Sequence, residues 1–193
     1  MGSVWDEEVY TGLQKEILES VTYRNGGELV PLPKSRVLVR KPEEEFKPEG
    51  YPCVSMYITG IDFNAKRYTN HQTIESLDKK KGVAVMKDSP STYDLNMQID
   101  FWAKSQVHID NMTSSWVEGH FRQFNLPVID SDGIERTVNC LRKKQGIVKS
   151  DLLSGGERLY HSIISYTMWV DLRSKKRYNA NVVTKVVIGV NQK

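Results

Sequence analysis

Asp100 and Lys104 are the pair that most invites a chemical reading, because carboxylates beside a lysine on a strand can hold a magnesium ion near a phosphate. Their spacing is four residues, where an acid-x-lysine site uses two, so both side chains point to one face but stand one repeat too far apart. No second acidic strand residue obviously joins them. The four histidines, His71, His108, His120 and His161, have no partner histidine three or four residues away, the spacing at which a helix presents two ligands to a metal. Gly26-Gly27 and Gly155-Gly156 lack the Lys-Ser or Lys-Thr of a phosphate loop and read as turns. No Gly-x-Ser-x-Gly elbow occurs, and His161 and Ser162 alternate on a strand and so face opposite ways. The expectation is a protein without a catalytic set, cofactor or metal; Cys53 and Cys140, far apart and in no ligand pattern, read as buried free thiols of a reducing compartment.

The elements that would carry these residues follow from periodicity. Val9, Leu13 and Ile17 recur every four residues between Ser3 and Val21, with Ser3 as cap and Asp6, Glu7 and Glu8 as an acidic first turn, which predicts an amphipathic helix. Arg24 to Gly27 stops it, and Pro31 and Pro33 hold the chain extended up to a short strand at Val37–Val39. Lys41 to Gly50 reads as a charged loop, and Tyr51 to Gly60 as a strand covered on both sides. Residues 61–92 are polar and Lys-rich, with a weak strand signal only at Val83–Met86, and predict a protruding arm or hairpin. Tyr93, Leu95, Met97, Ile99, Phe101 and Ala103 then alternate with mostly polar neighbours, so one face of that strand is buried.

Ser105 opens a second helix with Val107, Met112, Trp116 and Val117 on one broad face and Phe121 a turn further, which Pro127 is expected to end. A turn at Ile129–Ile134 leads to a strand from Glu135 to Leu141 and makes a hairpin. The longest alternation, Tyr160 to Leu172, precedes a polar turn from Arg173 to Asn181 and a last strand from Val182 to Val190. Together these give an α+β fold: one domain over residues 1–193, a mostly antiparallel sheet with two amphipathic helices packed on one face, and an extended arm inserted at about 61–92.

A net charge of +3 is far from the basic stripe of a dedicated nucleic-acid binder, no apolar run is long enough to span a bilayer, and the acidic N-terminal segment is unlike a signal peptide. The residues left to nominate are interface candidates. Trp102 and Trp169 sit on the polar sides of their strands, either under a helix or in a subunit contact. Lys79, Lys80 and Lys81, and Arg173, Lys175, Lys176 and Arg177, form basic turns that are solvated or meet a partner.

The order of elements resembles the tail terminator, or tail completion, proteins of long-tailed bacteriophages. The resemblance is carried by the N-terminal amphipathic helix, the proline-flanked strand, the alternating strand Tyr93-Asp94-Leu95-Asn96-Met97-Gln98-Ile99-Asp100-Phe101-Trp102, the helix over Gln106 to Arg122 and the long final strand pair. The segment Ile61–Ser91 and the extension beyond Leu172 depart from the smaller members of that family. The resemblance implies a virion protein of the tail or neck, assembled in the host cytoplasm, whose partners are copies of itself in a hexameric ring, the tail tube protein and the head-tail connector or neck proteins. It implies no membrane partner, and at most a non-specific contact of Lys79, Lys80 and Lys81 with DNA passing through the lumen. A neck or baseplate role in the same particle is the nearest alternative, and the magnesium-dependent enzyme around Asp62, Asp94 and Asp100 the distant one.

Overall fold

The structure is a computed structural model, described over residues 4–40, 50–68, 72–78, 83–88, 91–130, 133–143, 148–154, 157–172 and 177–181. Ser3, the Lys41–Glu49 loop and the expected strand Val182–Val190 lie outside these residues. The chain runs α1 (Val4–Ser20), β1 (Thr22–Asn25), β2 (Glu28–Pro31), a 3-10 turn (Lys34–Arg36), β3 (Val37–Val39), β4 (Cys53–Phe63), β5 (Gln72–Asp78), β6 (Val83–Asp88) and β7 (Ser91–Ala103). It continues with α2 (Gln106–Gly119), β8 (Gln123–Ile129), β9 (Glu135–Arg142), β10 (Val148–Ser154), β11 (Glu157–Leu172) and β12 (Arg177–Asn181). Among the described residues twelve strands stand against two α-helices, so the α+β, mostly antiparallel architecture expected from periodicity is the one that forms.

Two compact units are distinguished: Met1–Asp62 with Tyr93–Val170, and Phe63–Thr92 with Asp171–Lys193. In the first, the sheet order is β3-β4-β7-β11-β9-β8, with β10 pairing β11 off that path. β3 and β4 pair in parallel, Val37 opposite Val54, while β8 and β9 form an antiparallel hairpin with Gln123 opposite Leu141. In the second unit β12, β6 and β5 make a three-stranded antiparallel sheet, bulged between Ile74 and Ser76, around the buried Ala84. Within residues 61–92 β5 and β6 pair antiparallel, and the strand that joins them is a correction: Arg177–Asn181 is β12 and not part of a turn, because pairing with β6 satisfies backbone groups that its polar side chains gave no reason to order.

The core of the first unit lies between the helices and one face of the sheet. Val9, Leu13, Ile17 and Val21 are fully buried, as their spacing predicts, and meet Met97, Ile99 and Phe101 from β7 and Ile164, Tyr166 and Met168 from β11 in one cluster. The backbone N–H of Ile58 donates to the Tyr10 hydroxyl, and Gln14 Nε2 donates to the Val37 carbonyl, so α1 is tied to β4 and β3 as well as packed on them. Gly12 lets α1 lie against β8, since a Cβ there would come within 2.8 Å of the Pro127 carbonyl oxygen and 2.9 Å of Val128 Cγ1. From α2 the buried residues are Ile109, Met112, Thr113 and Trp116, whereas Val107 is exposed.

Three further boundaries differ from expectation. The helix α2 ends at Gly119, eight residues before Pro127 by number, and Phe121 stands beyond it, exposed. Pro127 lies within β8, the last strand of its sheet, where a missing N–H need not break a ladder. The helix α1 ends at Ser20, ahead of Arg24–Gly27, and Gly26 and Gly27, both at positive φ, are turn residues as expected: they form the two-residue turn of the β1–β2 hairpin, with Asn25 opposite Glu28. Ser105 occupies the cap position of α2 in extended conformation without a side-chain cap bond.

A polar network closes the core where α1, α2 and β11 meet. The Trp116 indole donates to the Tyr166 hydroxyl at 2.9 Å, and that hydroxyl donates to the His120 carbonyl at 3.2 Å. His120 stacks on Trp116 at 3.8 Å, with Nδ1 2.9 Å from the Trp116 carbonyl oxygen and Nε2 2.9 Å from Glu16 Oε1. Both ring nitrogens thus face oxygen acceptors, a backbone carbonyl at Nδ1 and a carboxylate at Nε2. Burial pushes the Tyr166 hydroxyl up to about 12, against the smaller opposing effects of the indole bond and Arg142.

Candidate functional site

The opposite face of β7 gathers the other charged and aromatic side chains. Asp100 is 1% exposed, although its strand position faces away from the helices. Gln98 Nε2 donates to one of its oxygens at 2.7 Å, Arg40 Nη2 to the other at 3.4 Å, and His161 Nε2 stands 3.6 Å away. Trp102 lies flat on His161, ring centroids 3.7 Å apart and planes 8° from parallel, and its indole donates to Ser55 Oγ. The Arg40 guanidinium covers the Tyr57 ring at 4.2 Å. Burial first, then the Asp100 charge, raises the Tyr57 hydroxyl above its ordinary value. These contacts bind the end of β3 to β4, β7 and β11, and each partner of the carboxylate is a side chain of the same unit.

The nominated residues therefore part company. Trp102, 8% exposed, is taken up by the stack on His161 within its own unit. Trp169 is 38% exposed, sits opposite Asn139 on β9, and has Thr167 opposite the exposed Leu141 two residues before it. Lys79, Lys80, Lys81, Arg173, Lys175 and Lys176 lie outside the described residues; Arg177 opens β12 opposite Lys87, and its side chain is likewise outside the description. Asp62 accepts a hydrogen bond from Asn96 at 2.8 Å and Asp100 is enclosed by Gln98 and Arg40, so the structure does not bring those two acids to one open site. Among the described residues no group of three His, Cys, Asp or Glu side chains is placed to hold a metal ion. Cys53 and Cys140 are free and buried, and burial pushes both thiols up to about 12.

Two surface features escape the sequence. Phe121 is 58% exposed just past α2, with the guanidinium groups of Arg122 and Arg142 at 5.7 and 5.8 Å from its ring centre, and Arg142 Nη1 donates to its carbonyl at 3.1 Å. At the far end of β8 a groove of about 660 Å³ opens between the first turns of α1 and the β8–β9 hairpin, lined by Glu7, Glu8 and Glu135 together with Gly12, Pro127 and Ile129. The available signals mislead at both places. Helical period carried past Gly119 puts Phe121 on a buried face, and the groove joins Glu7 to Glu135, which no local spacing relates. No helix among the described residues is long and apolar enough to cross a membrane.

No family model matches this chain, and no curated protein matches its sequence.

Proposed function

We propose that the chain is a structural virion protein that assembles into a hexameric ring, caps the tail tube, stops its polymerisation and offers the surface onto which the head connector docks. The observation that carries this reading is the distribution of side chains in the first unit. Its buried carboxylate and stacked histidines are engaged within the unit, whereas Phe121, Ile129 and Trp169, all large and apolar, are left at the surface. Such a surface suits association more than turnover. The order of elements supports the same reading through its resemblance to tail terminators. Mechanistically the function needs no bond chemistry: a heterologous interface closes when its rotation divides the circle, and a ring seated on the tube covers the face that recruits the next tube ring.

The test deletes the gene from its phage and images the lysate by electron microscopy. Tails of abnormal length, or finished tails that fail to join filled heads, are the expected result. Normal joined particles overturn the proposal, and a complete lack of tails moves the protein to the baseplate.

A further inference from the structure

The ring proposed above needs two unlike surfaces on each subunit, and the first unit carries a matched pair. Phe121, flanked by Arg122 and Arg142, is an aromatic knob with two positive charges. The groove beside α1 presents Glu7, Glu8, Asp130 and Glu135, with Lys15 the one cation among its described lining residues. Asp130 is already engaged by Arg136, and Lys15 stands 4.0 Å from Glu19, so Glu7 and Glu135 at the rim supply the field that a partner meets. We propose that neighbouring copies join head to tail by seating the Phe121–Arg122–Arg142 knob of one in the Glu7–Glu135 groove of the next. This rests on the ring reading for its closure, though the contact itself does not require the ring to close.

Three observations lead to a second copy as the occupant. Knob and groove have opposite charge, and aromatic and arginine side chains are those that interfaces concentrate at their centres. They lie at the two ends of β8, whose seven residues separate them by roughly 20 Å at about 3.3 Å per residue, so one subunit cannot satisfy its own groove. Finally, β8 ends the strand order of its sheet, α1 lies against it at Gly12, and Pro127 has no N–H to offer a further strand. A neighbour therefore gains little from strand-to-strand pairing there and docks through side chains. The groove is of the size that encloses small ligands, room for a benzyl side chain with guanidinium groups at the rim.

The experiment measures the association state of the purified full chain by sedimentation velocity, for wild type, a knob variant (Phe121→Ser with Arg122→Ser) and a groove variant (Glu7→Lys with Glu135→Lys). All four positions are exposed, so the core is untouched. Each variant is expected to weaken self-association by about tenfold or more, as loss of a central aromatic or arginine contact does. An equimolar mixture of the two is expected to form one-to-one pairs, because each keeps the half the other lacks. Wild-type rings that persist in either variant, or a mixture that stays monomeric, overturn the contact and leave the ring reading standing. Open wild-type chains that both variants abolish support the contact and overturn ring closure. A wild type that is monomeric at every concentration overturns both.

Discussion

The first unit holds two tryptophan–histidine stacks on opposite faces of one sheet, and they are held in different ways. In the inner one, Trp116 and His120 are 3.8 Å apart, and short bonds to Tyr166, Glu16 and the backbone complete the polar valences inside an apolar cluster. In the outer one, Trp102 and His161 are 3.7 Å apart, but the indole bond to Ser55 is 3.3 Å and the nearby charge, Asp100, is balanced across 3.4 Å by Arg40. Similar rings thus rest on packing on one face and on charge balance on the other. The inner stack fixes how α1 and α2 meet the sheet; the outer one fixes the end of β3 against β4, β7 and β11.

The difference is broken most severely at Trp116. Replacing it with alanine empties the centre of the inner cluster and is expected to cost about 3–5 kcal/mol in a urea titration, the range for a buried aromatic. The outer face gives a contrasting pattern. Arg40→Met leaves Asp100 buried and unbalanced and is expected to cost about 3 kcal/mol, whereas Arg40→Met with Asp100→Leu is expected to recover to within about 1 kcal/mol of wild type. Failure of the double variant to recover shows that the outer cluster also rests on packing and erases the contrast.

Alkaline pH sharpens the comparison from the inner side. The Tyr166 hydroxyl ionises near 10 in the unfolded chain and near 12 when folded, so between those values the unfolded state binds fewer protons and stability falls as pH rises. Full stability from this group is present below pH 10, and on the order of 2 kcal/mol is lost by pH 12 at about 1.4 kcal/mol per unit. The buried thiols, raised from 9.0 to about 12, act in the same direction from pH 9 upward. Tyr166→Phe, compared with wild type in denaturant titrations at pH 9.5 and 11.5, is expected to show the shallower decline; equal declines refute the assignment to Tyr166. The smallest effect on stability belongs to Trp169, whose replacement by serine is expected to change it by less than about 0.5 kcal/mol while altering association.

How much of this was legible depended on whether a residue's surroundings were local. The four-residue recurrence of Val9, Leu13 and Ile17 and the alternation from Leu95 to Ala103 report burial directly, because a helix or strand turns its period into a face. The same rule fails for Trp102: period two places it on a polar face, but that face buries its own polar side chains by pairing them. It fails again beyond Gly119, where a helical period continued to Pro127 conceals β8, since a proline in an edge strand carries the same letter as one that ends a helix. β12 is concealed because its strand character comes from pairing with β6 and not from its own side chains. The knob and the groove are legible only in three dimensions, since each is assembled from residues that lie far apart in the chain.

The most direct measurement of the central claim, that this protein works by closing interfaces between its copies, is native mass spectrometry of the purified chain paired with negative-stain imaging of the same sample. One closed species with six times the mass of the chain and a uniform ring outline is the expected result. A monomer that persists up to the highest soluble concentration contradicts it.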